Sequence, residues 1–208
     1  MYLHSLCRYA QILCLLATSA TASAGLAPDQ LIKTTSEEVL TIVRADPDIA
    51  AGNTSKIIDI VEAKVLDHFD FERMTRLAVG KNWRNASAPQ RQSLTAAFRT
   101  LLVRTYAVAL AQFRDRDVDY QPLESAPSGR DVVVHTTVDT PQGKPIKMDY
   151  RMGAVGEEWK VYDVLVDGVS LVINYRTMFD TTVEQKGIDG LVSLLEEKNV
   201  AARNGTRQ

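Results

Sequence analysis

Apolar residues recur at helical spacing as far as Phe113, alternate with polar ones between Val118 and Val166, and return to helical spacing beyond Asn174. Helices first, strands next and a helix last predict an α+β fold, a four-stranded antiparallel meander packed against a group of N-terminal helices plus a C-terminal helix. Ile32, Val39, Leu40 and Val43 make the stripe of a first helix from Pro28 to about Ala45. After the Asp46-Pro47 break, Asn53 or Thr54 stands ready to cap a second helix with Ile57, Ile58, Val61 and Val65 on one side. A short third helix follows Asp70, with Phe71, Met74 and Leu77 inward and Gly80 as its stop. Ser87-Ala88-Pro89-Gln90 reads as a capping box with proline in the first turn. It opens the longest periodic segment, Leu94, Phe98, Leu101, Thr105, Val108 and Gln112 flanked by Leu102 and Tyr106, reaching to about Phe113. Such a helix, about 36 Å long at 1.5 Å per residue, is able to cross the whole face of a small sheet.

Four strands are predicted at Val118 to Leu123, Asp131 to Val138, Ile146 to Met152 and Trp159 to Val166. The turn-formers between them are few, which favours antiparallel neighbours. In the third strand Ile146, Met148, Tyr150 and Met152 alternate with Lys147, Asp149 and Arg151, one buried face and one solvated. The run from Trp159 to Phe179 is different: its apolar density leaves too few polar positions for a wet face, so both sides of the last strand are expected to be covered. A turn falls at Asp167-Gly168. Ile188, Leu191, Val192 and Leu195 form the stripe of a last helix ending near Asn199, and residues 202–208 are expected to be a disordered tail.

The first residues change the setting. Arg8, the apolar run from Ile12 to Ala17 and the small residues Ala22-Ser23-Ala24 read as a secretory signal over residues 1–24, too short to span a membrane. Cleavage after Ala24 leaves a single domain over residues 25–201. Both cysteines, Cys7 and Cys14, fall inside the signal, so the exported chain has no thiol for a disulfide, a nucleophile or a metal site. Cys14 follows Leu13, not the small residue that precedes a lipidated cysteine. The formal charge of −2 becomes −3 once Arg8 is removed, a balance that argues against nucleic acid as a partner.

Catalytic constellations are scarce. No HExxH, GxSxG, P-loop or GxGxxG occurs, and nothing calls for a metal or another cofactor. His68 and His135 lie in different elements. Asp163 interrupts an apolar strand, where a cone-shaped α+β enzyme of the ketosteroid-isomerase type would keep an acid of raised pKa. Against that, an outward position paired with Lys160 or Arg176 explains the same residue. An exported protein with a doubly covered sheet is a candidate container for an oily ligand; the alternatives are such a small-molecule enzyme, with Asp163 or His68 as base, and a periplasmic adaptor or chaperone with an exposed apolar groove.

Several segments together resemble one family. Phe69-Asp70-Phe71 with Met74, the Leu94 to Tyr106 helix, Trp159-Lys160-Val161-Tyr162-Asp163-Val164, Gly168-Val169-Ser170-Leu171, Asn174-Tyr175-Arg176 with Phe179, and Gly187-Ile188-Asp189-Gly190-Leu191 are similar to the MlaC family, known also as toluene-tolerance or ABC-transporter auxiliary proteins. The resemblance implies a periplasmic, non-enzymatic carrier that holds glycerophospholipid acyl chains in an apolar cavity between sheet and helices. It also implies two partners, an outer-membrane lipoprotein and the substrate-binding subunit of an inner-membrane ABC transporter. Residue periodicity then names the expected liners: Phe71, Met74, Leu77, Leu102, Tyr106, Val132, Val134, Met148, Tyr150, Val161 and Val164. Arg104 and Arg176 are the expected headgroup or partner contacts.

Overall fold

The computed structural model describes residues 25–51, 53–125, 127–140 and 143–205. The expected signal, the Pro141-Gln142 turn, residues 206–208 of the expected tail, and the side chains of Thr54, Val108 and Gln112 lie outside the described part. The described residues run in the expected order through α1 (Pro28–Ala45), α2 (Pro47–Ala50), α3 (Thr54–Lys64), α4 (Phe71–Val79), α5 (Ala88–Phe113), β1 (Val118–Tyr120), β2 (Asp131–Val138), β3 (Ile146–Val155), β4 (Glu158–Val166), β5 (Val169–Ser170) and α6 (Arg176–Gly205).

Local chemistry sets most of the helix ends. The Asp46-Pro47 break is itself one helical turn, because the Asp46 carboxylate accepts from the Asp48 and Ile49 amides. Asn53 occupies the cap position of α3, but its Oδ1 accepts from the Ser55 hydroxyl and caps no amide. At α4 the Asp70 carboxylate accepts from the Arg73 amide, and at α5 Ser87 and Gln90 form the expected reciprocal box. α6 kinks at Gly187, and its helical geometry goes on to Gly205, beyond Asn199.

The sheet has the order β1-β2-β3-β4-β5, every pair antiparallel. The expected four-stranded meander therefore gains a strand. Asp167 and Gly168, with φ of 48° and 82°, make a two-residue turn, and Val169 folds back to pair with Val166. A two-residue strand is too short to show a period. β1 stops at Tyr120 and not Leu123, while β3 continues through Gly153 to Val155.

One irregularity matters for the site. Arg151 pairs with Asp163 but Met152 pairs with Val161, so Tyr162 is an extra residue in β4. It resets the alternation, and Val161 and Val164 consequently face the same side. In β2, Val134, Thr136 and Val138 are buried while Asp131, Val133 and His135 are exposed. The sheet thus has a covered inner face and, at β2, an open outer one, whereas β4 is at least partly covered on both sides from Trp159 to Val166, as expected, with Asp163 fully buried on the outer side. Its outer surface carries the pairs His135 Nδ1 to Asp149 (2.8 Å) and Arg151 Nη1 to Asp163 (3.3 Å). On the far edge of β4 the Asp70 amide donates to the Val161 carbonyl at 2.8 Å, which ties the start of α4 to the sheet.

Apolar packing divides into three clusters. The inner sheet face gathers Val134, Met152 and Val161 with Leu31 and Ile32 of α1. The second half of α1, with α2 and α3, encloses Val103 and Ala107 of α5. α4, α5 and α6 enclose Phe98, Leu102, Phe179, Leu191 and Leu195. A domain usually has one contiguous core. Here α5 packs on α3, α4 and α6, and none of its described side chains joins the sheet cluster, so the long helix does not lie directly on the sheet as its length suggested.

Candidate functional site

Strand register orders the inner face into rows. Tyr120, Thr136, Met148 and Val166 are successive partners; Val134, Tyr150 and Val164 form the next row; Val132, Met152 and Val161 the third. Six of the expected liners, Val132, Val134, Met148, Tyr150, Val161 and Val164, therefore share one face. Val134 and Val161 are buried, whereas Val132, Met148, Tyr150 and Val164 keep part of their surface accessible.

The other five expected liners form a second group. Met74 and Leu102 are buried in the α4–α5–α6 cluster, with Phe71, Leu77 and Tyr106 packed partly exposed against it. The two groups meet through Phe69, which packs on both the sheet cluster and the helical one and stacks on Phe71 with ring centroids 5.8 Å apart. Sequence periodicity left Phe69 out of the liners, along with Tyr120, Trp159, Leu31 and Ile32. Trp159 had a readable signal in its alternation with Val161. Phe69 had none, because it lies in an irregular link between a 3₁₀ turn and α4.

Two phenols are set in this interior. Burial pushes the Tyr150 hydroxyl above its usual range, with Tyr120 adding to the effect, and the hydroxyl donates to the thioether sulfur of Met148 at 3.0 Å. Tyr106 is likewise pushed up, by burial and then by the neighbouring Tyr175 hydroxyl.

The charged candidates separate. Arg176 donates from Nε and Nη2 to the Leu77 carbonyl at 3.2 and 2.7 Å, closing the C-terminus of α4. Arg104 is half-buried on α5 and makes no ion pair or hydrogen bond among the described side chains. Asp163 has the outward side and the basic partner expected for it, but it is fully buried and the base is neither Lys160 nor Arg176. It accepts instead from Ser170 Oγ at 2.8 Å and from Arg151, on the side of the sheet away from Tyr150 and Val164. Lys160 pairs with Glu158 and donates to the Asp67 carbonyl. A carboxylate held by a guanidinium and a hydroxyl is a structural tie with no free lone pair aimed at the apolar interior.

Fold and site together define an α+β protein with a five-stranded antiparallel meander and a divided apolar interior. The MlaC protein family model matches residues 33–197, and the chain belongs to the MlaC family. It is 22% identical over 180 residues, 85% of this chain and 84% of the relative, to the intermembrane phospholipid transport system binding protein MlaC of Haemophilus influenzae. It is 23% identical over 188 residues, 87% of each chain, to the toluene tolerance protein ttg2D of Pseudomonas putida. Among solved structures, the phospholipid-binding protein of Ralstonia solanacearum, in complex with a phospholipid, superposes with a TM-score of 0.77 at 36% identity, covering 86% of this chain and 99% of that one.

Proposed function

We propose that this chain is a periplasmic carrier that holds the acyl chains of a glycerophospholipid between the inner sheet face and the helices and shuttles lipid between the outer and inner membranes. The observation that carries this reading is the divided core. Among the described residues, Phe69 is the apolar side chain shared by the sheet cluster and the α4–α5–α6 cluster, which are otherwise separate groups. An oily ligand inserted there would complete the packing. The lipid-bound relative at 36% identity supports the same assignment.

Magnitudes explain why a protein is needed. A phospholipid carries roughly 30 methylenes, and at about 0.8 kcal/mol each their exposure to water costs on the order of 25 kcal/mol. Transfer from a bilayer to a dry apolar chamber exchanges one oily surrounding for another, so loading and release need no catalytic group. Residues 1–24 deliver the chain to the periplasm in this reading. An outer-membrane lipoprotein and the substrate-binding subunit of an inner-membrane ABC transporter serve as donor and acceptor, together maintaining outer-membrane lipid asymmetry. Direction comes from the transporter's nucleotide hydrolysis or from relative affinities along the route.

The test is organic extraction of the purified protein followed by mass spectrometry. About one phospholipid per chain is expected. Repeated recovery of none, together with failure to take up added lipid from vesicles, overturns the proposal.

A further inference from the structure

The first inner row is less apolar than the other two. It places Tyr120 of β1 against Thr136 of β2 and Met148 of β3, and Tyr150 stands one row on, diagonally across β2 from Tyr120. Three hydroxyls thus project from the face otherwise paved with Val132, Val134, Met152, Val161 and Val164. Their partners differ. Thr136 donates to the Met148 carbonyl at 2.9 Å and is satisfied. The Tyr150 hydroxyl donates to a thioether sulfur, a weak acceptor, with the Thr136 hydroxyl as its other polar neighbour. The Tyr120 hydroxyl is buried and has no hydrogen-bond partner among the described residues; Ser36 of α1 is its near polar neighbour. Buried hydroxyls are nearly always paired, so an unpaired donor beside one held by a weak acceptor calls for an oxygen acceptor between them.

The chemistry of the ligand supplies it. In a glycerophospholipid the polar atoms adjoining the acyl chains are ester oxygens, which accept hydrogen bonds and have no proton to give. We propose that Tyr120 and Tyr150 form the subsite for the acyl-ester carbonyls of the bound lipid, with the hydrocarbon running from there across Val134 and Val164 toward Met152, Val161 and Trp159. This rests on the carrier reading above and adds to it the position and chemistry of the ester linkages. The two tyrosines then act as specificity residues, selecting ester-linked over ether-linked chains of equal length.

The mature protein is incubated with vesicles containing equal amounts of dioleoyl phosphatidylglycerol and its di-O-octadecenyl ether analogue. Bound lipid is then extracted and counted by mass spectrometry. At the usual net value of a hydrogen bond, wild type should take the ester lipid roughly three- to tenfold over the ether. Tyr150→Phe and Tyr120→Phe should each lower that ratio toward equality while total uptake persists. The lipid-free Tyr120→Phe protein should melt no lower than wild type, because it loses only an unpartnered hydroxyl. Equal uptake of both lipids by wild type, or an unchanged ratio in both variants, overturns the ester subsite and leaves the carrier standing. A lower melting temperature of lipid-free Tyr120→Phe assigns that hydroxyl to the fold and also counts against the subsite. Uptake of neither lipid by wild type removes both proposals.

Discussion

Arg73 reaches across the sheet over Gly153. Its guanidinium lies 3.4 Å from the centre of the Tyr162 ring, and its Nη2 sits 2.7 Å from Asp131 Oδ1 on β2. A Cβ on residue 153 would collide with Nη1, so the glycine is the gap through which α4 is strapped to two strands. Gly153→Ala is therefore expected to displace Arg73 and cost about 1–3 kcal/mol, as overpacking does. In an Arg73→Ala background the same substitution should cost much less. Urea titration of the four proteins of that cycle measures both numbers, and additive costs would show that the strap is not what the glycine serves.

Asp163 tests the enzymatic alternative. Because Ser170 and Arg151 both donate to this buried carboxylate, Asp163→Asn should destabilise by about 1–3 kcal/mol through the weakened ties. Lipid content after extraction should stay at the wild-type level. Loss of a catalysed reaction with lipid content intact would revive the ketosteroid-isomerase-like reading.

Val132 and Val164 are half-buried on the inner face, where open space is expected in front of them. Val164→Trp should fill part of that space, hold apo stability within about 1 kcal/mol of wild type and lower the phospholipid recovered per chain. In a solidly packed interior the same change would cost about 1–3 kcal/mol and leave no lipid to lose. Thermal melting and lipid extraction on one preparation separate the two.

Alkaline pH probes the interior phenols. Tyr106 and Tyr150 have folded pKa values raised above the usual 10.0, each mainly by burial. A raised folded value means that the stability linked to the protonated phenol is complete below pH 10.0 and is lost as pH rises above it, because only the unfolded chain ionises there. The melting temperature should fall progressively above about pH 10, and Tyr150→Phe should flatten the decline. A Tyr150→Phe profile parallel to wild type would mean that this phenol titrates freely in the folded chain.

Where one side of an element faces oil and the other water, periodicity revealed the element and its face. Leu191 and Leu195 of α6, Val134 of β2 and the Ser87–Gln90 box are such cases. What escaped has local causes. β5 is two residues long, and the inserted residue of β4 and its edge bridge to Phe69 have no period to read. The shared inner face of the sheet residues was legible because they alternate. Phe69 and the unpaired hydroxyl of Tyr120 were not, because the first sits in a link and the second depends on what stands opposite it in space. Arg176 looked available from its sequence position, and only the fold shows its guanidinium occupied by the Leu77 carbonyl.

The extra residue in β4 makes the strand two half-strands of opposite phase joined at Tyr162. Deleting that single position would remove the bulge and let the Met152–Val161 pair follow Arg151–Asp163 directly, so Val161 and Val164 would keep the inner face while Arg73 lost the ring beneath its guanidinium. Chain length at this point therefore sets the bend of the strand and the seat of Arg73, and the inward order of side chains survives either way.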